Sequence, residues 1–163
     1  MRLLTVGRPT APWWAQAVED YRRRLQGPWA LEWEAVREAP GRSEAGDDAT
    51  RREGARLLER IRPRDWVVAL DPAGEAVTSE ELARRIVRRL EAGETPVFVV
   101  GGRWGLAEAV RRRADWIWSL SPLTFAHELA AAIVAEQLYR AWAIAHGHPY
   151  HHVRTTRDGE GER

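Results

Sequence analysis

Two segments that directly follow predicted buried strands have the residue types expected of a ligand site. Gly101-Gly102-Arg103-Trp104-Gly105 follows the apolar run Pro96–Val100, and Ser119–Phe125 precedes a long helical pattern. Glycines let a backbone turn tightly and approach a ligand, and α/β proteins bind ligands at the carboxyl ends of parallel strands. In the second segment, backbone amides and carbonyls can hydrogen-bond an adenine between apolar walls formed by Leu123 and Phe125. Each segment alone also fits an ordinary strand-to-helix connection, with Thr124 as a helix cap.

The C-terminal end of the chain concentrates polar and aromatic side chains. Four histidines fall within seven residues, namely His146, His148, His151 and His152. No carboxylate or cysteine accompanies them at the usual spacing of a metal site, so we expect no functional metal. Glu136 and Arg140 are four residues apart on a predicted helix and fit an ion pair. His127, near the start of that helix, fits either a cap or a core histidine.

Several common chemistries lack their sequence signatures. The chain has no cysteine, which excludes a disulfide scaffold, a thiolate zinc site and a cysteine nucleophile. It has neither Gly-Lys-Ser/Thr nor Gly-x-Gly-x-x-Gly, so phosphoryl transfer and dinucleotide binding lose support. It also lacks Gly-x-Ser-x-Gly, and Ser121 has no evident base, which argues against a serine hydrolase.

Composition and charge describe an ordinary globular chain. Its 163 residues fit one domain, and the formal net charge of +1 does not by itself indicate a nucleic-acid binder. All 25 basic residues are arginine; codon usage in a GC-rich genome explains this best, and arginine is also compatible with RNA contacts. We expect most of the nine tryptophans in the core or at a subunit interface. The sequence shows neither a signal peptide nor a membrane span, which predicts a cytoplasmic protein.

Apolar patterns predict strands that alternate with helices. The predicted strands are Arg2–Val6, Leu31–Val36, Trp66–Leu70, Pro96–Val100 and Trp116–Leu120. The predicted helices are Trp13–Leu25, Thr50–Ile61, one capped by Thr78 or Ser79 and ending near Leu90, Leu106–Arg113 and Phe125–His146. We expect Asp71-Pro72-Ala73-Gly74 to close the third strand and Pro40–Ala49 to form a mobile loop. This alternation predicts an α/β domain over residues 1–153, mainly a parallel sheet with helices on both faces, and a disordered tail over residues 154–163.

Five sets of short segments occur in one order along the chain. They are Val6-Gly7; Glu19-Asp20-Tyr21 with Arg22–Leu25; Val100-Gly101-Gly102 with Gly105-Leu106; Ser119-Leu120-Ser121 with Thr124 and His127; and Glu136–Ala141 with Pro149-Tyr150-His151. In this order and spacing they resemble the RlmH family of SPOUT methyltransferases, over roughly residues 1–152.

This resemblance implies a fold, an activity and partners. Members of the family have the α/β SPOUT fold with a C-terminal trefoil knot, which topology rules alone do not predict. They act as homodimers that use S-adenosylmethionine, without a metal, and their RNA site is completed across the subunit interface. Their reaction methylates N3 of a pseudouridine in helix 69 of 23S rRNA within the assembled 70S ribosome. The resemblance implies neither DNA nor a membrane as a partner.

The resemblance also assigns site residues. The cofactor loops correspond to Leu70, Gly101, Gly102, Leu120, Ser121, Pro122, Leu123, Thr124 and Phe125. Arg140, Tyr150 and His151 would face the target nucleotide. Because N3 must lose a proton, we expect His151 to act as the base and Arg140 to stabilise the anion.

Some positions depart from the family pattern. Ala126 stands where proline is usual, Ala131 where arginine is common, and His152 where the usual terminus is basic. Arg103-Trp104 is bulky for the glycine loop. These departures leave open a non-catalytic ribosome- or RNA-binding module, a SPOUT methyltransferase with another target such as tRNA, and a small-molecule enzyme.

Overall fold

Strands and helices alternate along the chain. The computed structural model describes residues 1–39 and 46–150. Its strands are β1 (Arg2–Val6), β2 (Glu32–Val36), β3 (Asp65–Ala76), β4 (Thr95–Val100) and β5 (Trp116–Ser119). Its helices are α1 (Pro12–Arg24), α2 (Gly46–Leu58), α3 (Ser79–Glu91), α4 (Glu108–Arg113) and α5 (His127–Ala145), and a short 3-10 turn at Gly27–Trp29 precedes β2.

The five strands form one sheet in the order β2-β1-β4-β3-β5. Every pairing between neighbouring strands is parallel. The predicted α/β class with a mainly parallel sheet is therefore confirmed. Because the strands are parallel, their carboxyl ends meet along one side of the sheet, which we call the carboxyl edge. The threading of the C-terminal part into a trefoil knot stays a prediction.

Alternate side chains of the central strands point into two apolar layers. Leu3, Val68 and Phe98 pack beneath α1, α3 and α5, in a cluster that includes four of the tryptophans. Leu4, Val67 and Val97 face the opposite way and pack against α2 and α4. Such two-sided burial requires continuous runs of apolar residues, which is why β4 reads Thr-Pro-Val-Phe-Val-Val.

Two sequence predictions are wrong in their local boundaries. The segment Asp71–Gly74 does not close β3, because the strand continues to Ala76 and pairs with β5 on both sides of a bulge. Trp118 lies opposite Leu70 and again opposite Glu75, so the intervening residues are displaced from the ladder. Helix α2 begins at Gly46, which places the end of the predicted loop Pro40–Ala49 in a helix. Residues 40–45 and the predicted tail lie outside the described part of the chain.

The remaining boundaries agree with the sequence predictions to within two or three residues. Of the two predicted caps of α3, Thr78 and Ser79, the structure uses Thr78, whose hydroxyl accepts the backbone N–H of Glu81 at 3.2 Å. Most tryptophans are buried or half-buried, also as expected, whereas Trp13 and Trp104 are exposed. No helix among the described residues is both long and apolar enough to cross a bilayer.

Candidate cofactor cleft and nucleotide site

A cleft of about 150 Å³ opens at the carboxyl edge, where β3, β4 and β5 end. Three successive chain segments form most of its wall: the bulge of β3, the glycine turn after β4 and the loop after β5. The lining residues are Leu70, Asp71, Pro72, Val100, Gly101, Gly102, Arg103, Gly105, Leu120, Ser121, Leu123, Thr124, Phe125, His127 and Ala130. The cleft thus lies where parallel sheets place their ligands.

Eight of the nine residues predicted to hold the cofactor line this cleft. They are Leu70, Gly101, Gly102, Leu120, Ser121, Leu123, Thr124 and Phe125. Pro122 belongs to the same loop but is not part of the cleft wall. The structure therefore brings these positions together, and their contact with a cofactor stays a prediction.

The turn after β4 requires glycine because two backbone segments meet there. A Cβ on Gly101 would lie 2.5 Å from the carbonyl carbon of Gly105. The N–H of Gly105 donates to the carbonyl of Gly102 at 3.0 Å, and Gly105 has φ +80°, a left-handed conformation that favours glycine. The backbone consequently forms one side of the cleft without side chains that would fill it.

The loop after β5 is held by two serines. The buried Ser119 hydroxyl lies 3.1 Å from the carbonyl of Pro72 and 3.0 Å from that of Ser121, so it joins this loop to the bulge of β3. The Ser121 hydroxyl accepts the N–H of Leu123 at 3.1 Å. Leu123 is 69% exposed at the mouth of the cleft. A large apolar side chain in this position can contribute a wall to a bound ligand.

Sequence reasoning missed the contribution of the β3 bulge. Asp71 and Pro72 line the cleft, although we interpreted them only as a turn. The Asp71 carboxylate is 9% exposed and forms an ion pair with Arg111 of α4 at 2.8 Å. It also accepts the N–H of Ala73 at 2.9 Å. The available signal was their position directly after a buried strand, since bulges recur beside active sites.

The start of α5 completes the cleft. His127, which fitted either a cap or a core histidine, lines the cleft as the first residue of α5, and its Nε2 lies 3.8 Å from the Glu38 carboxylate. The neighbouring Glu128 carboxylate accepts the backbone N–H of Thr10 at 2.8 Å and the Thr10 hydroxyl at 3.0 Å. These hydrogen bonds lower the pKa of Glu128, with the backbone N–H as the largest cause. Glu128 therefore ties the β1–α1 connection to the start of α5.

Two residues predicted to face the target nucleotide lie together at the other end of α5. Arg140 forms an ion pair with Glu136 at 2.6 Å, and its guanidinium carbon lies 5.0 Å from the centre of the Tyr150 ring. The Tyr150 hydroxyl donates to the same Glu136 carboxylate at 3.2 Å and lies 3.4 Å from the Tyr21 hydroxyl. Burial raises the pKa of Tyr150, and Tyr21 and Glu136 raise it further.

We call Arg140 and Tyr150, with their partners Glu136 and Tyr21, the nucleotide cluster. Within one chain this cluster is remote from the cofactor cleft. Arg140 is 13 positions after His127 on a continuous helix, which corresponds to about 20 Å at 1.5 Å per residue. His146, near the end of α5, contacts the ring of Trp29 before β2, which places this end of α5 opposite the carboxyl edge. The structure therefore brings Arg140 and Tyr150 to each other but not to the cleft.

Two further predictions concern the histidines. His151, the predicted base, lies outside the described residues, as does His152. Among residues 1–39 and 46–150, no three His, Cys, Asp or Glu side chains are grouped so that they could hold a metal ion.

Comparisons with known proteins agree on one family. A family model described as "Predicted SPOUT methyltransferase" matches residues 1–151. A protein of Gemmatimonas aurantiaca named ribosomal RNA large subunit methyltransferase H is 42% identical, over 91% of this chain and 97% of the relative. Proteins of the same name from Thioalkalivibrio sulfidiphilus and Gloeobacter violaceus are 43% and 44% identical, over 93% of this chain in both cases and over 97% and 98% of the relatives.

Solved structures share the fold at much lower sequence identity. A probable methyltransferase from Bordetella pertussis Tohama I has a TM-score of 0.54 and 18% identity, over 86% of this chain and 94% of that chain. A putative methylase family protein from Neisseria gonorrhoeae has a TM-score of 0.54 and 12% identity, over 85% and 80% of the two chains. At such identities the likeness concerns the fold alone.

Proposed function

Because the chain belongs to the SPOUT methyltransferase family, we propose that it transfers a methyl group from S-adenosylmethionine to the ribosomal RNA of the large subunit. The relatives that share more than 40% identity across nearly their whole length are named for this reaction. The single structural observation that carries the proposal is the cleft at the carboxyl edge, where eight of the nine predicted cofactor residues meet.

The residues of the cleft fit S-adenosylmethionine. A Cβ at Gly101 would collide with the backbone of Gly105, so the glycine turn keeps open a space that a side chain would close. Apolar walls from Leu70, Leu123 and Phe125 suit a flat adenine, and the loop backbone offers hydrogen-bond donors and acceptors for its edge. Asp71 adds a carboxylate to the same wall, where it can accept a hydrogen bond from a ribose hydroxyl.

The methylation chemistry makes modest demands on the protein. When bound, S-adenosylmethionine supplies a methyl group already activated on a sulfonium. The chain's residues must hold the donor and the acceptor nitrogen in line, since alignment contributes a large share of the rate in such reactions. The acceptor is proposed to be N3 of a pseudouridine in helix 69 of 23S rRNA. This nitrogen loses its proton as the new N–C bond forms, and His151 is the proposed acceptor of that proton.

Arg140 and Tyr150 have roles that follow from their surroundings. The Arg140 guanidinium carries a fixed positive charge and would stabilise negative charge on the base once N3 has lost its proton. The Tyr150 hydroxyl is protonated at neutral pH, as in any tyrosine, and its raised pKa makes a phenolate still less accessible. Tyr150 therefore acts as a neutral group that orients Arg140 and the target base, and not as a proton acceptor.

These roles need a second copy of the chain. Arg140 is separated from the cleft by about 20 Å of helix in its own chain. We propose a homodimer in which the nucleotide cluster of one protomer faces the cofactor cleft of its partner. Each dimer then carries two composite sites, which are related by the two-fold axis of the dimer.

The decisive experiment measures methyl transfer from labelled S-adenosylmethionine to ribosomes that lack RNA methylation, followed by mapping of the labelled nucleotide. We expect one label, on N3 of the helix 69 pseudouridine. His151→Ala should reduce the rate at saturating donor and ribosomes, and an unchanged rate would reject the role of His151 as the base. The same assay with tRNA tests the other RNA target left open by the sequence. S-adenosylmethionine binding without transfer to either RNA would favour a non-catalytic module.

A further inference from the structure

We propose that the Arg103–Trp104 turn is an RNA contact, with Trp104 stacking on a nucleobase and Arg103 pairing with a phosphate next to the methylated nucleotide. This inference rests on the proposed function, because it assumes an RNA substrate at the cleft. It gives the tip of the glycine turn a binding role beyond the cofactor contact proposed for Gly101 and Gly102.

The turn is rigid and stands at the rim of the cleft. Gly102 and Gly105 form an isolated antiparallel bridge, closed by the hydrogen bond from Gly105 N to Gly102 O at 3.0 Å. Arg103 and Trp104 occupy the tip between them, and Arg103 is part of the cleft wall. The close packing of this backbone fixes the point from which the two side chains leave the turn.

Trp104 lies near the start of α2, and more than half of the residue is exposed. Ring atoms of the indole lie 3.2 and 3.3 Å from the position of a Cβ on Gly46, at the start of α2, so that side of the residue is in close contact. Trp104 nevertheless remains 56% exposed, which is unusual for a tryptophan beside a formed site. An exposed aromatic ring next to a nucleotide site is the usual platform for an unstacked base.

Arg103 supplies a cation beside that ring. Its guanidinium carbon lies 5.7 Å from the centre of the Trp104 ring. Among the described residues it has no carboxylate partner within ion-pair distance, whereas Arg111 and Arg140 are both paired. The phosphate of a nucleotide whose base stacks on Trp104 could therefore bind this guanidinium in a bidentate manner.

Two other arginines extend this charge along the carboxyl edge. Arg8 follows β1 and Arg37 follows β2, and both are exposed without a carboxylate partner among residues 1–39 and 46–150. With Arg103 after β4, they stand on three neighbouring strands, so their backbones span about 10 Å. Acidic residues also lie at this edge, but those described here have other partners. Glu38 lies near His127, and Glu128 accepts a hydrogen bond from Thr10. A nucleic-acid backbone is the partner that complements such a row of cations.

The test compares four variants in a direct ribosome-binding assay and in the methyl-transfer assay. Trp104→Ala should weaken ribosome binding and raise KM for ribosomes about tenfold, while Trp104→Phe, which keeps an aromatic ring, should change them by less than about threefold. Arg103→Ala should reduce by about one the magnitude of the slope in a plot of the logarithm of the ribosome-binding constant against the logarithm of the salt concentration. Arg112→Ala is the matched control, because Arg112 is an exposed arginine of α4 away from the cleft, and it should leave the slope unchanged.

Three results would overturn the inference. Ribosome binding that is unaffected by Trp104→Ala would remove the stacking contact. If Trp104→Ala or Arg103→Ala lowers the affinity for S-adenosylmethionine, measured by calorimetry without RNA, the turn is a cofactor contact instead. If Trp104→Ala dissociates the dimer in a sedimentation experiment, the turn is a surface for a second copy of the chain. The ribosome-binding assay separates this inference from the proposed function. If the wild-type protein binds ribosomes through Trp104 but transfers no methyl group, the RNA contact is supported and the proposed reaction is rejected.

Discussion

Tyr150 illustrates how a residue's surroundings determine the role that it can have. Its hydroxyl lies within hydrogen-bonding distance of the Glu136 carboxylate and the Tyr21 hydroxyl, and its ring packs against Tyr139 at 4.8 Å between centres. Burial and the neighbouring negative charge both disfavour a phenolate, so the pKa of Tyr150 is raised above its usual value. The same contacts hold the ring near Arg140, which suits a positioning role.

This environment predicts how stability depends on pH. In the unfolded chain a tyrosine ionises near pH 10, whereas the folded state holds the Tyr150 proton to higher pH. Above about pH 10 the unfolded state therefore binds fewer protons than the folded state, and the free energy of unfolding should fall as pH rises. Tyr150→Phe should cost about 1 kcal/mol at pH 7 through its lost hydrogen bond. Urea denaturation between pH 7 and 11 should show that the difference in the free energy of unfolding between the wild type and Tyr150→Phe shrinks as pH rises. A difference that does not change with pH would contradict the raised pKa of Tyr150.

At the scale of elements, the cleft depends on how closely loops approach one another. Gly101→Ala would place a Cβ 2.5 Å from the Gly105 carbonyl carbon, so the backbone of the glycine turn must move. Because overpacking of this kind costs about 1–3 kcal/mol, we expect the dissociation constant for S-adenosylmethionine to rise about tenfold or more. Calorimetric titration measures this, with the thermal melt of the variant as the check on folding. Unchanged affinity in a folded variant would show that the turn is not part of the cofactor site.

The bulge of β3 is a second close approach between elements. A Cβ on Gly74 would lie 2.7 Å from the carbonyl oxygen of Ile117, on the neighbouring strand β5. Gly74→Ala should therefore lower the free energy of unfolding by about 1–3 kcal/mol. Chemical denaturation gives this value directly. Ala76→Gly is a useful comparison because it alters an exposed residue of the same strand without adding an atom, and equal effects would argue against the steric cause.

At the scale of the whole molecule, α5 runs from the candidate cofactor cleft to the residues proposed to face the target nucleotide. Its first residue, His127, lines the cofactor cleft, and Arg140 belongs to the nucleotide cluster about 20 Å away. The helix is buried between α1 and α3 over much of its length, so bending cannot join the two ends. A second protomer is the simplest way to bring Arg140 to a cleft.

Complementation between inactive variants tests this arrangement. Arg140→Ala should abolish transfer while S-adenosylmethionine still binds, and Gly101→Ala should reduce transfer about tenfold or more by weakening cofactor binding, when the donor concentration is kept well below the dissociation constant. After unfolding and refolding as an equal mixture, random pairing should restore about a quarter of the wild-type activity, because half of the dimers then contain one intact composite site. Each variant refolded alone is the control. A mixture no more active than its components would indicate that each site is built from one chain.

The sequence by itself determined the features that depend on neighbouring residues. Apolar runs such as Pro96–Val100 indicated buried parallel strands, and glycines directly after them indicated a ligand loop, because both signals reside within a few consecutive residues. A cap of α3 at Thr78 or Ser79 was predicted for the same reason, and the structure shows that it is Thr78. The order of these local signals was also sufficient to recognise the family.

Only the tertiary structure decided which distant residues meet. The extension of β3 past Asp71 depends on pairing with β5, more than 40 residues later in the chain, and the ion pair between Asp71 and Arg111 depends on where α4 packs. The support of Trp104 by Gly46 is likewise a contact between separate elements. Sequence periodicity records which face of an element is buried, but not which partner buries it, so these contacts and the separation of Arg140 from the cleft required the folded chain.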